Sequence, residues 1–268
     1  MTKEKIRPPF KIHGGKNYLH GWIIDNFPEN YEQLNYLEPF CGAASVFLNK
    51  KPSKTEILND LDPGVVQILR ALRDENNIFI KKLKKIEYCK ESFEKSLYEK
   101  TSKNSDLDYA INEFVIRRMS RGGLKKAFSW SDRTRGGNPG EVNAWITILE
   151  ELPIISKRLK ETFLLNKNAF DAIKAFDEKE TLCYVDPPYL PDTRVAKECY
   201  EFELDTDQHI KLAHVLNNFK GKVVLSGYQS ALYKRLYKGW KCVKKTVPNH
   251  ASQSKVKQQK IECLWINY

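Results

Sequence analysis

The uneven distribution of strand-like segments is the feature that most limits the folds open to this chain. Short apolar segments typical of strands occur at 35–40 and 55–62, are absent between 70 and 160, and return from 162 onward. Glycine turns and amphipathic helical segments separate the first strands, as in β-α-β units. The sequence therefore predicts an α/β fold with a Rossmann-like, doubly wound sheet. The last two strand-like segments, 240–247 and 261–267, predict an antiparallel strand pair.

The segment without strands predicts a separate helical insertion. Apolar residues recur with helical spacing at 76–88 and 108–120, and the glycine-rich stretch 120–141 predicts a loop or an irregular hairpin. Pro153 predicts a kink or a division in the helix that follows. We therefore assign residues 1–70 and 162–268 to one α/β domain and residues 71–161 to a helical domain inserted into it.

Charge and composition narrow the class of protein and of partner. The net charge of +11 and the isoelectric point of about 9.2 favour a polyanionic partner, with nucleic acid the first candidate. The six cysteines form no C-x-x-C pair, which indicates reduced thiols in a cytoplasmic protein. The five histidines show no metal-ligand spacing, so we expect no metal site. We also expect no secretion signal and no membrane span, because no apolar run is long enough.

Asp186, Pro187, Pro188 and Tyr189, the DPPY loop, directly follow the apolar segment "TLCYV". Open α/β sheets bind ligands beyond the carboxyl ends of their strands. The Asp186 carboxylate and the Pro187 carbonyl offer two acceptors, proline makes the loop rigid, and Tyr189 offers a flat stacking face. This combination predicts a site for a planar amino group. The alternative is a tight strand–helix turn with a capping aspartate.

A second candidate site follows the first strand. Gly42 allows a sharp turn and a close backbone approach before a helix, and a helix N-terminus favours a polar or anionic group. Asp60 ends the next strand, at a position where an acid commonly binds ribose hydroxyls in nucleotide-binding folds. A plain β-α turn is the alternative interpretation.

Three motifs in this order resemble the Dam-like, alpha-group adenine-N6 DNA methyltransferases. The segment "PFKIHGGKNYL" (9–19) is similar to the N-terminal motif P-F-x-x-W-x-G-G-K of that family. The segment "YLEPFCGAASVFLN" (36–49) is similar to the cofactor motif E-P-F-x-G-x-G-S-V-F-L-N, and the DPPY loop is the amino-methyltransferase motif. The resemblance covers nearly the whole chain and places a helical target-recognition insertion before the DPPY loop.

The resemblance implies that S-adenosylmethionine is the methyl donor. The implied cofactor-binding residues are Ile12, Lys16, Glu38, Pro39, Phe40, Gly42, Asp60 and Asp186. Two positions depart from the family pattern: Ile12 replaces an aromatic residue, and Ala44 replaces the second glycine of the cofactor motif. The implied catalytic residues are Asp186, Pro187, Pro188 and Tyr189, acting on an adenine flipped out of duplex DNA.

The basic segment 117–140 is the candidate DNA-reading element of the insertion. It contains seven arginines and lysines and one acid. Its predicted DNA-binding residues are Arg117, Arg118, Arg121, Lys125, Lys126, Phe128, Trp130, Arg133 and Arg135. A solvated basic loop is the alternative. The segment lacks the F-N-x-P of the GATC-specific members, so GATC is not predicted as the target. Nine further lysines and arginines between 234 and 260, with no acid, are expected to contact phosphates.

The predicted function is therefore site-specific transfer of a methyl group from S-adenosylmethionine to N6 of an adenine in double-stranded DNA. The alternatives are methylation of another exocyclic amine, such as cytosine N4 or an RNA adenine, and a catalytically idle DNA-binding protein with the same fold. Any restriction endonuclease partner would be a separate chain. The predicted location is the cytoplasm of a bacterial or phage-infected cell.

Overall fold

The computed structural model describes residues 5–100, 105–131, 133–193, 202–248 and 259–268, except for the side chains of Arg135 and Pro248. Nine strands occur within these residues. They are β1 (Asn35–Glu38), β2 (Thr55–Asn59), β3 (Thr134–Arg135), β4 (Asn138–Pro139), β5 (Phe163–Leu165), β6 (Thr181–Val185), β7 (Lys222–Tyr228), β8 (Lys241–Pro248) and β9 (Gln259–Ile266).

Ten α-helices occur within the same described residues. They are α1 (His20–Ile24), α2 (Ser45–Asn49), α3 (Pro63–Asp74), α4 (Asn76–Leu83), α5 (Lys90–Glu99), α6 (Asp106–Met119), α7 (Gly140–Leu159), α8 (Ala169–Ala175), α9 (Thr206–Asn217) and α10 (Ala231–Leu236). Short 3-10 turns lie at Tyr31–Gln33, Arg121–Gly123 and Pro191–Thr193.

The main sheet has seven strands in the order β5-β2-β1-β6-β7-β9-β8. The neighbours β2, β1, β6 and β7 run parallel, whereas β9 is antiparallel to both β7 and β8. From β1 the chain moves outward to β2 and later returns to the other side of β1 to form β6. This topology confirms the predicted doubly wound α/β fold with a C-terminal antiparallel strand pair, and it puts the topological switch point between β1 and β6.

Burial explains why the parallel strands read as apolar segments. Every residue of β6 is buried, and so are all residues of β1 and β2 after the first. Strands covered on both faces need apolar side chains at every position rather than at alternate ones. Polar residues can therefore enter the parallel strands mainly at their ends, where the loops begin.

The chain divides into two compact units. Unit 1 comprises residues 1–25, 41–50 and 62–166, and unit 2 comprises residues 26–40, 51–61 and 167–268. Unit 1 therefore contains the whole predicted helical insertion and also the N-terminal motif, α2 and α3. The assignment of 1–70 and 162–268 to a single catalytic domain stays a prediction.

Helix α7 in unit 1 is longer than its sequence suggests. It runs undivided from Gly140 to Leu159, so the predicted division at Pro153 is wrong. Proline removes one backbone donor from the helix ladder. Because Pro153 lies on the exposed face of α7, water can satisfy the carbonyl that loses its partner. The glycine-rich stretch before α7 forms the two-residue hairpin β3–β4, in the region predicted as a loop or irregular hairpin.

Candidate active site and nucleic-acid interface

The carboxyl ends of four parallel strands meet at one edge of unit 2. Asp186 follows β6, Pro39 and Phe40 follow β1, Asp60 follows β2, and Tyr228 ends β7. Because these strands are parallel neighbours, the residues that follow them lie along the same edge. Unit 2 therefore brings the DPPY loop together with four of the sequence-predicted cofactor residues, Glu38, Pro39, Phe40 and Asp60.

Glu38 is a buried carboxylate at the end of β1, with 3% of its surface exposed. The Tyr36 hydroxyl donates a hydrogen bond of 2.9 Å to its Oε2 atom. Burial and the Glu38 carboxylate together hold the pKa of Tyr36 well above its usual range, so this phenol stays a donor. Glu38 is thus fixed in place at the switch point.

Asn59, the last residue of β2, has a structural role that sequence reasoning missed. Its Nδ2 donates to the Pro39 carbonyl at 2.9 Å and to the Lys167 carbonyl at 3.0 Å, and its Oδ1 accepts from the Lys167 backbone N–H at 3.0 Å. One fully buried amide thereby ties together the loops that follow β1 and β5 within unit 2. Asparagine at a strand end is a signal of a turn, but its partners lie far away in the sequence.

Tertiary contacts with residues distant in the sequence anchor the Tyr189 side chain of the DPPY loop. Tyr189 is 5% exposed, and its hydroxyl donates to Glu262 Oε2 at 2.9 Å. Its ring meets the Tyr228 ring edge-to-face, with the centroids 4.6 Å apart. Sequence reasoning missed both partners, since Glu262 lies on β9 and Tyr228 on β7.

Two carboxylates act on the Tyr189 phenol. Burial, then Asp186, then Glu262, raise its pKa well above the usual value for tyrosine. The phenol is therefore protonated at neutral pH and cannot serve as a base. Asp186 is half-buried, directly after a fully buried strand. The loop thus contains one half-buried carboxylate and one anchored ring, with the Tyr228 ring of β7 packed against it.

Unit 1 contains the other three sequence-predicted cofactor residues, Ile12, Lys16 and Gly42. Lys16 is buried, and its Nζ donates to the Gly14 carbonyl at 2.8 Å. Gly42 has a φ of 49°, and a Cβ there would lie 3.4 Å from Ile12 Cδ1. Ala44 has a φ of 54°, so the position where the family has a glycine keeps the left-handed conformation although its residue has a Cβ.

Arg117, the first of the predicted DNA-binding residues, is buried in unit 1. Only 2% of it is exposed; its Nη2 is 2.6 Å from Asp62 Oδ2 and its Nε is 2.9 Å from Glu113 Oε2. Burial alone would raise the pKa of Asp62, but Arg117 and Lys125 outweigh it and lower the pKa. This placement leaves the Arg117 guanidinium inaccessible to DNA. The signal that could have suggested it is Glu113, one helical turn before Arg117.

Lys125, Phe128 and Arg118 also face protein. Lys125 Nζ is 3.7 Å from Asp62 Oδ2, and the Phe128 ring lies among the rings of Tyr88 and Phe93. Arg118 donates to the Ala144 carbonyl at 2.8 Å, and burial lowers its pKa to about 10. These contacts hold the basic segment against the helices of unit 1.

Four of the predicted DNA-binding residues present their side chains to solvent. These are Arg121, Lys126, Trp130 and Arg133, with Trp130 50% exposed and stacked on Phe128 at 6.4 Å. Arg135 lies in β3, and its side chain is outside the described part of the structure. The accessible positive charge of this segment therefore lies on its turn and its hairpin.

A cavity of about 520 Å³ lies within unit 1, and residues of the N-terminal motif line it together with residues of the basic segment. Lys11 and Ile12 contribute from the motif, and Arg118 and Gly122 from the segment. Burial and the nearby Arg118 charge lower the pKa of Lys11. Gly123 packs so closely on the Lys11 carbonyl that no side chain fits between them. The basic segment thus packs directly on the N-terminal motif.

No group of three or more histidine, cysteine, aspartate or glutamate side chains is arranged to hold a metal ion in the part of the chain that the structure describes. Within the same residues, none of the helices combines the length and apolarity needed to cross a bilayer. Among the described cysteines, Cys41, Cys183 and Cys263 are buried, and Cys89 and Cys242 are partly buried.

The family model of the D12 class N6 adenine-specific DNA methyltransferases matches residues 13–250. The chain belongs to this family. The predicted family, the enzyme class and the reaction are therefore confirmed: this D12 class enzyme methylates N6 of adenine in DNA, with S-adenosylmethionine as methyl donor.

Characterised relatives of this D12 class methyltransferase match over nearly its full length. It is 23% identical to the Type II methyltransferase M.MjaIII of Methanocaldococcus jannaschii, covering 98% of this chain and 100% of the relative. It is also 23% identical to the DNA adenine methylase of Haemophilus influenzae, covering 97% and 93% of the two chains. Among solved structures, the rRNA methyltransferase aviRa of Streptomyces viridochromogenes aligns with a TM-score of 0.37 and 11% identity, covering 94% of this chain and 84% of that one. The strand order and the register of the sheet establish the fold of this chain, independently of that alignment.

Proposed function

We propose that the DPPY loop binds the amino group of an adenine flipped out of double-stranded DNA. The Asp186 carboxylate and the Pro187 carbonyl accept the two N–H bonds of N6, Pro188 keeps the loop rigid, and Tyr189 flanks the base. The observation that carries this proposal is the position of the loop directly after β6, beside the switch point of the sheet. Most of the Tyr189 ring is covered by protein atoms, so the base must displace some of them when it enters.

The residues promote the reaction by position and hydrogen bonding. The N6 lone pair is delocalised into the adenine ring, which makes the amine a poor nucleophile. Two acceptors on its N–H bonds draw the nitrogen toward tetrahedral geometry and localise the lone pair. S-adenosylmethionine supplies a methyl group on a positively charged sulfur. Asp186 is the acceptor for the proton that N6 releases, and its negative charge favours the positive charge that develops on the nitrogen.

The donor set of unit 2 fits the methyl donor. The carboxylates of Glu38, Asp60 and Asp186 are suited to accept hydrogen bonds from ribose hydroxyls and an ammonium group. We propose that these three, with Pro39 and Phe40, bind the donor. The family motifs imply Ile12, Lys16 and Gly42 as further donor-binding residues, and Gly42 has the left-handed backbone that a close approach requires.

The proposed DNA-contacting residues are the exposed ones in the basic segment. Arg121, Lys126 and Arg133 can reach phosphates or base edges, and Trp130 offers a ring for wedging or stacking. Arg117, Lys125 and Phe128 take a different role in this proposal, since they anchor the segment to α3, α5 and α6. The helical insertion 71–161 is thereby the proposed target-recognition domain.

The proposed cellular location and the proposed partner protein follow from the DNA substrate and from the relatives rather than from the fold. Because DNA is the substrate, we place the enzyme in the cytoplasm of a bacterial or phage-infected cell. A Type II methyltransferase among the relatives is consistent with a restriction endonuclease partner encoded as a separate chain.

Sequencing that detects modified bases tests the proposal. Genomic DNA from cells expressing the wild-type chain should carry N6-methyladenine within one short recurring sequence, and DNA from cells expressing Asp186→Ala should carry none. Equal methylation with both chains would contradict the role of Asp186. Methylcytosine in place of methyladenine would contradict the proposed substrate.

A further inference from the structure

One buried carboxylate of unit 2 has no part in the proposed reaction. Glu262 lies on β9, only 3% exposed, opposite Tyr228 in the antiparallel register of β7 and β9. The Tyr189 hydroxyl donates to its Oε2 atom at 2.9 Å, and burial together with the Glu262 carboxylate raises the pKa of the Tyr228 phenol. Glu262 therefore lies beside two phenols, one on the DPPY loop and one on the neighbouring strand.

The position of this carboxylate is costly for stability. An anion removed from water loses hydration free energy, and hydrogen bonds repay only part of it. A leucine or valine on this strand, like Leu264 two residues further on, would avoid that cost. The carboxylate offers something that these residues lack, namely two oxygens that can accept hydrogen bonds from phenols.

The two phenols set the orientation of the rings beside Asp186. Tyr189 follows Pro188, so its backbone is restrained, but the direction of its ring depends on the side-chain torsions. The hydrogen bond to Glu262 fixes one end of that ring, and the edge of Tyr228, 4.6 Å away between centroids, fixes its side. Tyr228 is half-buried and lies at the end of β7, next to the strand that leads into the DPPY loop.

We propose that Glu262 is a positioning residue for the target adenine, acting through the hydroxyls of Tyr189 and Tyr228. Together the three residues form an aromatic corner whose ring directions decide how the flipped base is presented to Asp186. The inference deepens the proposed function and depends on adenine binding at the DPPY loop. It assigns no direct contact between Glu262 and the base or the methyl donor.

The test compares Glu262→Gln with a matched control on the same sheet. Gln keeps the size of the side chain but has one acceptor oxygen instead of two. The control is Tyr184→Phe, which removes a buried hydroxyl on β6 that bonds Ser226 at 2.9 Å and lies outside the corner. Two quantities are measured on duplex DNA that contains the methylated site: the single-turnover rate of methyl transfer, and the fluorescence of 2-aminopurine placed at the target adenine.

We expect Glu262→Gln to slow single-turnover methyl transfer by about 10-fold or more, since small misplacements of a reacting group cost up to ~100-fold. The 2-aminopurine signal of the enzyme–DNA complex should change, because the fluorescence reports stacking of the flipped base. The affinity for S-adenosylmethionine should stay within about 2-fold of wild type. Tyr184→Phe should stay near wild type in both the rate and the fluorescence.

A variant that lacks both phenol hydroxyls tests whether Glu262 acts through Tyr189 and Tyr228. In a Tyr189→Phe/Tyr228→Phe chain, adding Glu262→Gln should slow methyl transfer by less than about 3-fold, because contacts that act as one unit are not additive. The double Phe chain also replaces Glu262→Gln if that variant does not fold, and it should show the same 10-fold loss.

Three results would overturn the inference. They are a Glu262→Gln rate within about 2-fold of wild type, a loss that persists in full in the double Phe background, and an equal loss in Tyr184→Phe. Failure of the proposed function is distinguishable from these, because in that case the wild-type chain itself would leave adenine unmethylated.

Discussion

In the DPPY loop, the charged residue Asp186 is half-buried, whereas the aromatic residue Tyr189 is buried and anchored by Glu262. In the basic segment the order is reversed, since Arg117 and Lys125 are drawn inward to Asp62 and the ring of Trp130 is left exposed. The loop follows a rigid buried strand, whereas the segment connects helices and must be fastened by its own side chains. Where the backbone is already held by a buried strand, a charged side chain such as Asp186 is left for the proposed substrate. Where it is not, charged side chains such as Arg117 form the ion pairs that hold the segment in place.

The largest effect is expected at Asp186. Asp186→Ala should lower the single-turnover rate of methyl transfer by about 1,000-fold, the loss typical of removing one preorganised polar contact from a transition state. DNA affinity should change by less than about 3-fold. The control is Asp192→Ala, an exposed acid in the 3-10 turn after the loop, which should keep the wild-type rate. A matched loss in Asp192→Ala would show that charge near the loop matters rather than the contact from Asp186.

At Arg117 we expect a loss of stability rather than a direct loss of methyl transfer. Arg117→Met should lower the free energy of unfolding by about 3–5 kcal/mol, because Asp62 and Glu113 lose their buried cation and keep only the more exposed Lys125 and Lys100. Urea unfolding measures this loss. Arg121→Met, an exposed arginine of the same segment, should change stability by less than ~0.5 kcal/mol. A stable Arg117→Met chain with weakened DNA binding would make Arg117 a DNA-contacting residue instead.

The same ion pair predicts a pH dependence. The folded-state pKa of Asp62 is depressed, so its contribution to stability is fully present above the unfolded value of about 3.9 and is lost as pH falls through the lower folded value. The stability difference between wild type and Arg117→Met should therefore shrink below pH ~4. Unfolding curves recorded from pH 7 to pH 3 measure it, and a difference that stays constant with pH would exclude Asp62 as the partner that matters.

Tyr189 should show an intermediate effect. Tyr189→Leu keeps an apolar side chain but removes the stacking face, worth about 1–3 kcal/mol per base, so methyl transfer should fall by roughly 10- to 100-fold. The comparison variant is Tyr237→Phe, which alters another buried tyrosine of unit 2 while leaving its ring in place. A Tyr189→Leu rate equal to that of wild type would show that stacking on Tyr189 does not contribute to methyl transfer.

The smallest effects are expected at the exposed cations. Arg121→Gln and Lys126→Gln should each reduce the slope of log affinity against log salt by about 0.9 if each residue neutralises one phosphate. Lys84→Gln, an exposed lysine of the same unit, is the control and should leave the slope unchanged. Identical slopes in all three variants would show that Arg121 and Lys126 do not contact phosphates.

The strands and the DPPY loop were predictable because the signals that define them are local. Full burial makes β6 apolar at every position, and the loop chemistry follows it directly in the sequence. The end of β2 was predicted less exactly, because the strand-like segment was taken to run from 55 to 62 and β2 ends at Asn59. The antiparallel pair β8–β9 was recognisable from two adjacent apolar segments.

The roles of Arg117 and Glu262 could not be predicted in the same way, because they depend on long-range pairing. Arg117 and Arg121 lie in the same basic segment, yet one is buried against Asp62, 55 residues away, and the other is exposed. Glu262 reaches Tyr189 across 73 residues only because β9 pairs with β7. Residue type indicates which chemistry is available, and tertiary pairing decides where it is used.

If the basic segment reads the target, as we propose, the close packing of Gly123 on the Lys11 carbonyl limits how this enzyme can acquire a new target sequence. Exchanging this segment between family members would then be a route to altered specificity, and a donor segment with any other residue at position 123 would push the turn away from the Lys11 carbonyl. Gly123 also has a φ of 74°, which most residues avoid. A transplanted segment must therefore bring a glycine in register with position 123, whatever bases its other residues read.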